Sequence, residues 1–523
     1  MPTLKTIPAG AVTGPALWAA AQVRVALWNR TARSRQAVES SQLEQLWRNV
    51  KAAASTELGR AHDFHHIKSY RSFKDRVPLR TYADFEPYLE RMRLGQRDVL
   101  WPGLVRYYGQ SSGSSNTKAE HKFLPISEQQ IRWQQRAGFD VLARYLTLSG
   151  DRSLTSGYAL GLFPPATLKP SGPVYITNNP GLMQRFMPFP ASRLQLPKNP
   201  IRDMDNYDLK LERIAESYLD HDVRSVSGTT CWFPILFEKV LAAARARGQR
   251  ADAVKDVWPN LRVLFGGGVH AGPYRQLIDR LIGQPTLLMD NYNATEGGLF
   301  ACTDRIDEGG MLMIPDRGVF YELVPREEHG KPNARRHALW EAEPGVEYSV
   351  VLTTSSGLFG YTIGDSIRFT SVFPHRMEFT GRMSGMLSLT QELTSYVEIE
   401  RAVAAAIATE PCEIVEFAAS TEVGVDETAK GRYLLFVEFG RDPGSLERFE
   451  SAFDAGLRSQ NRVYREHRNQ DVAILPPRVL RLSRGASQRF LKEMGATSVQ
   501  QKFPRIVDER RRELLRALVS PSE

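Results

Sequence analysis

The sequence predicts an α/β protein of at least two domains, and three observations carry that expectation. At 523 residues the chain is longer than one ordinary hydrophobic core supports. Short apolar or β-branched runs repeatedly end in glycine or hydroxyl turns and give way to helical patterns, the arrangement in which α/β proteins place ligand sites. Beyond about Leu387 the character changes to an Ala-rich helix followed by alternating strands and helices. That last stretch is a βαβ-like module of roughly 130 residues, an ordinary domain size.

Apolar residues recur at helical spacing through Leu17, Val23, Leu27 and Trp28, then Leu43, Leu46 and Val50, which predicts helix over 13–58 with Arg-rich solvated faces. Pro78 and Pro87 punctuate the next region, and Thr81 to Asp84 reads as a helix start. Gly95 and Pro102-Gly103 lead into a strand over 104–108. At its end lies the most unusual stretch of the chain, YYGQSSGSSNTKAEHKFLP over residues 107–125. Ser111, Ser112, Ser114 and Ser115 surround Gly113. A glycine there lets successive N–H groups converge on an anion, and the hydroxyls can donate to phosphate oxygens or complete a magnesium shell. Lys118 and Lys122 follow closely. No Gly-Lys-Ser/Thr ending is present, so this is not a Walker loop. A flexible Ser/Gly linker has the same composition, and the residues downstream weigh between the two.

Ser127 is placed to cap a helix through 131–145. A strand is expected over 158–163, loop over 164–200, helix over 206–218, and a strand over 222–227 ending in Gly228-Thr229-Thr230. Helix over 237–246 and a strand over 261–265 follow. The second strand ends in Gly266-Gly267-Gly268, bare backbone on which a flat group can lie, or simply a tight turn. The run TLLMDNYNATEGG over 286–298 delivers Tyr292, Thr295 and Glu296 to a glycine turn. An aromatic suits a nucleobase, a hydroxyl suits phosphate and a carboxylate suits magnesium; a Thr/Glu capping pair is the alternative. Strands over 318–324 and 347–353 precede GLFGYTIGD over 357–365. Asp365 follows Gly364 at a strand start, where one carboxylate can accept from both hydroxyls of a ribose, or close an Asx turn. Arg382 closes this region. In the last module, helices are expected over 397–408 and 446–457 and strands over 413–419, 433–439, 472–475 and 478–482. The chain then runs through Gly485-Ala486-Ser487 to QQKFPR over 500–505, which carries Lys502.

Composition narrows the function classes. Hydrophobic residues at 42% and charged residues at 24% are ordinary for a soluble protein. There is no apolar run of membrane-spanning length and no basic n-region ahead of an apolar stretch, so neither a membrane span nor a signal peptide is expected. Cys231, Cys302 and Cys412 are isolated, without disulfide or metal spacing, which suits a reducing cytoplasm. The net charge of +9 is spread along the chain without aromatic interleaving, so nucleic acid is not an expected partner.

The order of hydroxyl loop, triple glycine, Tyr…Thr-Glu, Gly-Asp, hinge arginine and late lysine resembles the adenylate-forming superfamily. Within it, the runs VPLRTYADFEPYLERM, SSGSS, YNATEG, GLFGYTIGD and GASQ…QQKFPR resemble the Gretchen Hagen family of acyl-acid amido synthetases. The resemblance implies the adenylate-forming α/β fold. A large N-terminal domain over 1–386, of mixed sheets flanked by helices with a small β-barrel, would bind ATP and acid. A small mobile C-terminal α/β domain over 387–523 would carry the lysine. It implies that Ser111 to Ser115 hold phosphates and Glu296 holds Mg2+ as a catalytic and metal-binding residue. It places Gly266 to Gly268 and Tyr292 around adenine, with Thr295 toward phosphate and Asp365 on the ribose. Arg382 and Lys502 would be catalytic, the first at the hinge and the second on the small domain. The implied chemistry is attack of a carboxylate on ATP, then displacement of AMP by an amine, most often an amino acid. Alternatives are an acyl-CoA or other thioester ligase and a non-catalytic acyl- or nucleotide-binding protein of the same fold. A monomer without nucleic-acid or membrane partners is expected. The chain departs from the family pattern at Asn116-Thr117, Gly360, Met383, Leu393 and Tyr396.

Overall fold

The computed structural model describes residues 10–111, 122–189, 191–230, 232–268, 272–306, 310–382, 386–390, 392, 394–424, 430–494 and 503–520. The long helical pattern near the start divides into α1 (Gly10–Ala32) and α2 (Arg35–Ala53). The break is at Ser34, which is extended and whose side chain accepts from the Ala37 N–H as an N-cap. Apolar periodicity runs on across such a cap, which is why the two read as one helix.

α2 buries Val38, Leu46 and Val50, and with them three amides, Gln42, Gln45 and Asn49. These amides serve the backbone at and before the strand Val319–Pro325. Gln42 Nε2 donates to the carbonyls of Pro315 at 2.6 Å and Val319 at 3.1 Å, while its Oε1 accepts from the Tyr321 N–H at 2.8 Å. Gln45 accepts from the Gly318 N–H at 3.1 Å, and Asn49 donates to the carbonyls of Gly318 at 3.0 Å and Thr353 at 3.3 Å. On this side the strand pairs with His337–Ala338 only through Glu322 and Leu323. Elsewhere on this edge the Val319 carbonyl and the Tyr321 N–H are satisfied by the Gln42 side chain instead of a further strand.

Three sheets position the candidate site. An antiparallel sheet of eight strands runs Asn291–Ala294, Gly298–Cys302, Met311–Met313, Arg376–Arg382, Tyr361–Ser371, Glu347–Thr354, Val319–Pro325 and His337–Ala338. A parallel sheet of five runs Gln195–Leu196, Tyr158–Leu162, Val223–Gly228, Val263–Phe265 and Leu287–Met289. The third, of four strands, contains β1 (Tyr107–Ser111) and β2 (Lys122–Ile126), paired antiparallel with Ser111 opposite Lys122.

β2 is a correction to the sequence reading, in which a helix follows the hydroxyl stretch directly. Pro125 argues against a strand, yet β2 lies at a sheet edge, where a missing N–H is tolerated. The helix Glu128–Ser149 follows only then, capped by Ser127 as expected. The proline-rich 164–200 region is not plain loop: it holds strands Lys169–Ser171 and Val174–Thr177 and a helix Asn179–Arg185 capped by Asn178. Residues 472–475 form no strand, only a bridge from Ile474 to Gly431.

Gly360 has φ +65°, and a Cβ there would stand 2.6 Å from the Pro78 carbonyl oxygen. The Arg80 N–H donates to the Gly360 carbonyl, and the Thr362 N–H to the Arg80 carbonyl, both at 2.8 Å. A side chain at this position is therefore closed off by the backbone of residues 78–80.

The chain divides into two compact units, one taking in 279–383 with most of the preceding chain, the other taking in 384–523. The second unit has a sheet of Glu413–Glu422, Arg432–Arg441 and Arg478–Arg481, the first pair antiparallel and the second parallel. Glu438 accepts from the N–H groups of Gly485 at 2.6 Å and Ser487 at 2.9 Å, at the start of the helix Ala486–Glu493. Phe490 of that helix meets the buried Phe503 ring at 5.3 Å. Among the described residues no helix is long and apolar enough to cross a membrane.

Replacing Gln42 by Leu keeps the volume but leaves the Tyr321 N–H and two carbonyls without their partners. Gln42→Leu is expected to cost about 1–3 kcal/mol of stability, read as a lower denaturation midpoint at unchanged slope. An unchanged midpoint would show that water replaces the amide.

Candidate active site

In the parallel sheet the chain passes from Tyr158–Leu162 to Gln195–Leu196 on one side and then to Val223–Gly228 on the other. The reversal falls between Tyr158–Leu162 and Val223–Gly228, and the carboxyl ends of strands at such a point are the usual ligand position in open α/β sheets. Phe163, Gly228 and Gly266 follow or end the strands there. The Thr230 Oγ1 accepts from the Gly267 N–H at 3.1 Å, and the Thr230 N–H donates to the Gly267 carbonyl at 3.2 Å. Asn291 donates to the Gly266 carbonyl. A Cβ on Gly267 would meet the Asn291 carbonyl oxygen at 2.8 Å, so glycine is required for this approach. Gly268 is exposed beside this packed pair.

The apolar run before Tyr292 changes sheets. Leu287–Met289 closes the parallel sheet, and Asn291–Ala294 begins the antiparallel one. Tyr292 is thereby carried to Asp365: its hydroxyl donates to Asp365 Oδ2 at 2.7 Å, and both residues are buried. The Tyr292 ring meets Phe300 edge-on at 5.2 Å and lies 5.8 Å from Phe379. Asp365 is the fifth residue of Tyr361–Ser371, not its first. The register slips there, since Ser349 faces Ser366 while Val351 faces Thr362. The extra residues bulge, with Gly364 at φ +82°, and such bulges re-aim side chains near functional sites. On the other side Asp365 faces Arg382 in direct register.

Thr295 and Glu296 lie in the turn after Asn291–Ala294, and Glu296 is buried. A Cβ on Gly109 would meet Thr295 Cγ2 at 2.5 Å, so this turn sits directly against β1, two residues before Ser111. Gln130 Nε2 donates to the Thr295 carbonyl at 3.1 Å.

The structure thus joins Tyr292 to Asp365 and, by register, Asp365 to the backbone of Arg382, sets the turn of Thr295 and Glu296 against β1, and sets Gly266 and Gly267 against Asn291. Ser112, Gly113, Ser114, Ser115 and Lys502 lie outside the described residues, as do the side chains of Ser111 and Arg382. Lys122 is nearly buried and lies 5.4 Å over the Tyr82 ring. Sequence reasoning missed Thr230, Asn291 and Gln130 as supports of the site. The first two sit in motifs already singled out; Gln130 carried no signal. It also missed Lys210, fully buried, whose ammonium donates to the carbonyls of Phe163 and Arg202, each at 2.7 Å. Burial pulls this lysine down to about 8.

Models of the GH3 family match the chain in three places: its N-terminal domain over residues 29–172, its central domain over 312–382 and its C-terminal domain over 397–511. The chain is similar to the indole-3-acetic acid-amido synthetase GH3.4 of Arabidopsis thaliana, 22% identical over 90% of this chain and 89% of that one. It is 26% identical to the jasmonoyl–L-amino acid synthetase GH3.5 of Oryza sativa subsp. japonica, in a match spanning 50% of this chain and about half, 48%, of the rice one. The solved structure of the AtGH3.15 acyl acid amido synthetase with 2,4-DB superposes at a TM-score of 0.57, with 17% identity over 96% of both chains. 2-Hydroxyisobutyryl-CoA ligase with 2-HIB-AMP and CoA superposes at 0.52, with 16% identity over 92% of this chain and 91% of that one. At these identities the two structures establish the fold, which is that of adenylate-forming enzymes.

Removing the Asp365 carboxylate is expected to weaken ATP binding by about 1.5–3 kcal/mol, the worth of hydrogen bonds to a charged group. Calorimetry on folded Asp365→Ala protein checks this. Unchanged affinity would take Asp365 out of the nucleotide site.

Proposed function

We propose that this chain, which belongs to the GH3 family, activates a carboxylic acid with ATP and transfers the acyl group to an amine, forming an amide. The observation that supports the reading is that Tyr292 meets Asp365 while the turn that follows its strand, with Thr295 and Glu296, sits against the strand that leads into the hydroxyl stretch. Asp365, oriented by the Tyr292 hydroxyl, accepts from the ribose. The backbone at Gly266 to Gly268 admits the adenine edge, and Ser111 to Ser115 donate to phosphate. Glu296 would hold Mg2+. One carboxylate suits an ion that keeps its remaining ligands from phosphate and water, and no cluster of three His, Cys, Asp or Glu exists among the described residues. When bound, the ion supplies charge neutralisation on the phosphates.

In the first step the substrate carboxylate attacks the α-phosphorus, the bond to the β-phosphate oxygen breaks, and pyrophosphate leaves. In the second an amine attacks the acyl carbon of the mixed anhydride, AMP departs with the bonding pair, and the nitrogen releases a proton to solvent to leave the neutral amide. The chain's part is positioning and charge stabilisation, so no Ser or Cys nucleophile is required. An amino acid is the acceptor that the names of the GH3 relatives support. The likeness to 2-hydroxyisobutyryl-CoA ligase favours a thiol as the second reading. We place the protein in the cytoplasm, consistent with the buried thiols of Cys302 and Cys412.

Acid-dependent exchange of labelled pyrophosphate into ATP is expected with at least one member of a panel of aryl, indolyl and fatty acids. Mass spectrometry with amino acids and CoA in competition is expected to show an amide. An acyl-CoA as sole product would reverse the acceptor, and no exchange with any acid would favour a binding protein of the same fold.

Lys502 immediately precedes Phe503, whose burial anchors the backbone on the second unit, and Arg505 there pairs with Glu400 and Glu416. A compact ammonium can stabilise the charge that develops between carboxylate and α-phosphate. Lys502→Ala is expected to bind ATP normally and to lose adenylation at least tenfold, about 1.4 kcal/mol in the barrier. It should retain more of the amide-forming step when supplied with preformed acyl-adenylate. Equal losses in both steps would make Lys502 structural.

A further inference from the structure

The solvent face of α1 is apolar for about three turns. Ala16, Ala19, Ala20, Val23, Ala26 and Leu27 are all exposed, Val23 at 62% and Leu27 at 53%. The opposite face, with Ala21, Val25 and Trp28, is buried against the helix Glu128–Ser149. A surface helix ordinarily shows polar residues outward, and one that is apolar on both faces has a second partner. This stripe carries no acidic residue. The first 38 residues contain Lys5, Arg24, Arg30, Arg33 and Arg35 but no Asp or Glu. Arg30, Arg33 and Arg35 are exposed just beyond the stripe.

A second feature adjoins it. A cavity of about 450 Å³ is lined by Arg132, Gln135, Arg136, Phe139, Pro188 and Arg317. Arg132 and Arg136 are exposed and form no ion pair among the described residues; Arg136 lies 4.9 Å over the Trp133 ring. Phe189, next to Pro188, is 72% exposed, with the Arg193 guanidinium over its ring at 5.2 Å. Cavity and helix are physically joined. Arg317 in the cavity wall and Arg24 of α1 share the carboxylates of Asp140 and Asp316, at 2.6–3.2 Å.

We propose that α1 and the adjoining arginine cavity form a surface that lies on an anionic phospholipid bilayer. Aliphatic side chains backed by Arg132 and Arg136, which form no ion pair among the described residues, with an exposed aromatic at the rim, match an interface where acyl chains meet phosphate headgroups. A second copy meeting the stripe with its own α1 would bury the aliphatic side chains, but that helix brings no acidic residue to the arginines. Nucleic acid would meet the arginines, but it would gain nothing from Val23 and Leu27. The expectation of no membrane partner rested on the absence of a spanning segment, and lying on a bilayer does not require one.

Cosedimentation of the full chain with vesicles tests this. Binding is expected to vesicles of phosphatidylcholine with phosphatidylglycerol, but not to phosphatidylcholine alone, and is expected to weaken as salt is raised. The double variant Val23→Glu with Leu27→Glu is expected to lose about tenfold or more in partitioning, since charge at an interfacial face opposes burial. Both positions are exposed, so the fold and the pyrophosphate exchange should be unchanged. Arg132→Glu is expected to reduce selectivity for the anionic vesicles. Three outcomes would overturn the proposal: no binding to anionic vesicles at low salt, full binding by the double variant, or lipid-independent dimers that the double variant abolishes. Retention of duplex DNA or RNA without vesicle binding would also overturn it, by assigning the arginines to nucleic acid.

Discussion

The hydrogen bond from the Tyr292 hydroxyl to the Asp365 carboxylate joins strands that lie four places apart in the eight-stranded sheet. At about 4.8 Å per strand, a flat sheet would separate them by roughly 19 Å, beyond the combined reach of a tyrosine and an aspartate. The sheet must therefore curl on itself at this end. The contact of Tyr292 with Phe379, on the strand between, fills the inside of the curl. Around that closure lie the turn with Thr295 and Glu296, the bulge that aims Asp365, and the strand of Arg382. A buried carboxylate is costly without good donors, so the tyrosine both stabilises Asp365 and fixes its direction.

Buried polar side chains do comparable work elsewhere in the first unit. Gln42, Gln45 and Asn49 complete the backbone of a strand edge, and Lys210 holds the carbonyl at the end of Tyr158–Leu162. Each is a polar group whose burial is favourable only because its partners sit at fixed places, so each specifies one arrangement of helix and strand. In the second unit Glu438 does this for the start of the helix Ala486–Glu493. Rigid placement of this kind suits a reaction in which the protein mainly positions substrates and spreads charge.

Much of the candidate site was legible in the chain because its chemistry needs particular groups at turns, and turns announce themselves through glycine and hydroxyl residues. Thr295, Glu296 and Asp365 stand out that way, and Asp365 is joined through Tyr292 to the strand that ends in the turn of Thr295 and Glu296. Less legible was how the strands deliver them. β2 was hidden by Pro125, and the change of sheet at Asp290 was hidden inside one apolar run. The bulge at 363–365 appears only in the register of two strands. Gln130, which holds the Thr295 carbonyl, looks like any surface glutamine on a helix.

From the sequence alone came the α/β class, the order of the motifs, the family they resemble and the chemistry they imply, because these follow from residue type and local spacing. Only the tertiary structure decided that Tyr292 meets Asp365, 73 residues away. It alone showed that the hydroxyl stretch leaves an antiparallel pair, that Gly360 has no room for a side chain, and that one face of α1 stays uncovered. Those are outcomes of contacts between distant segments, and local pattern carries no information about which distant surface a side chain will meet.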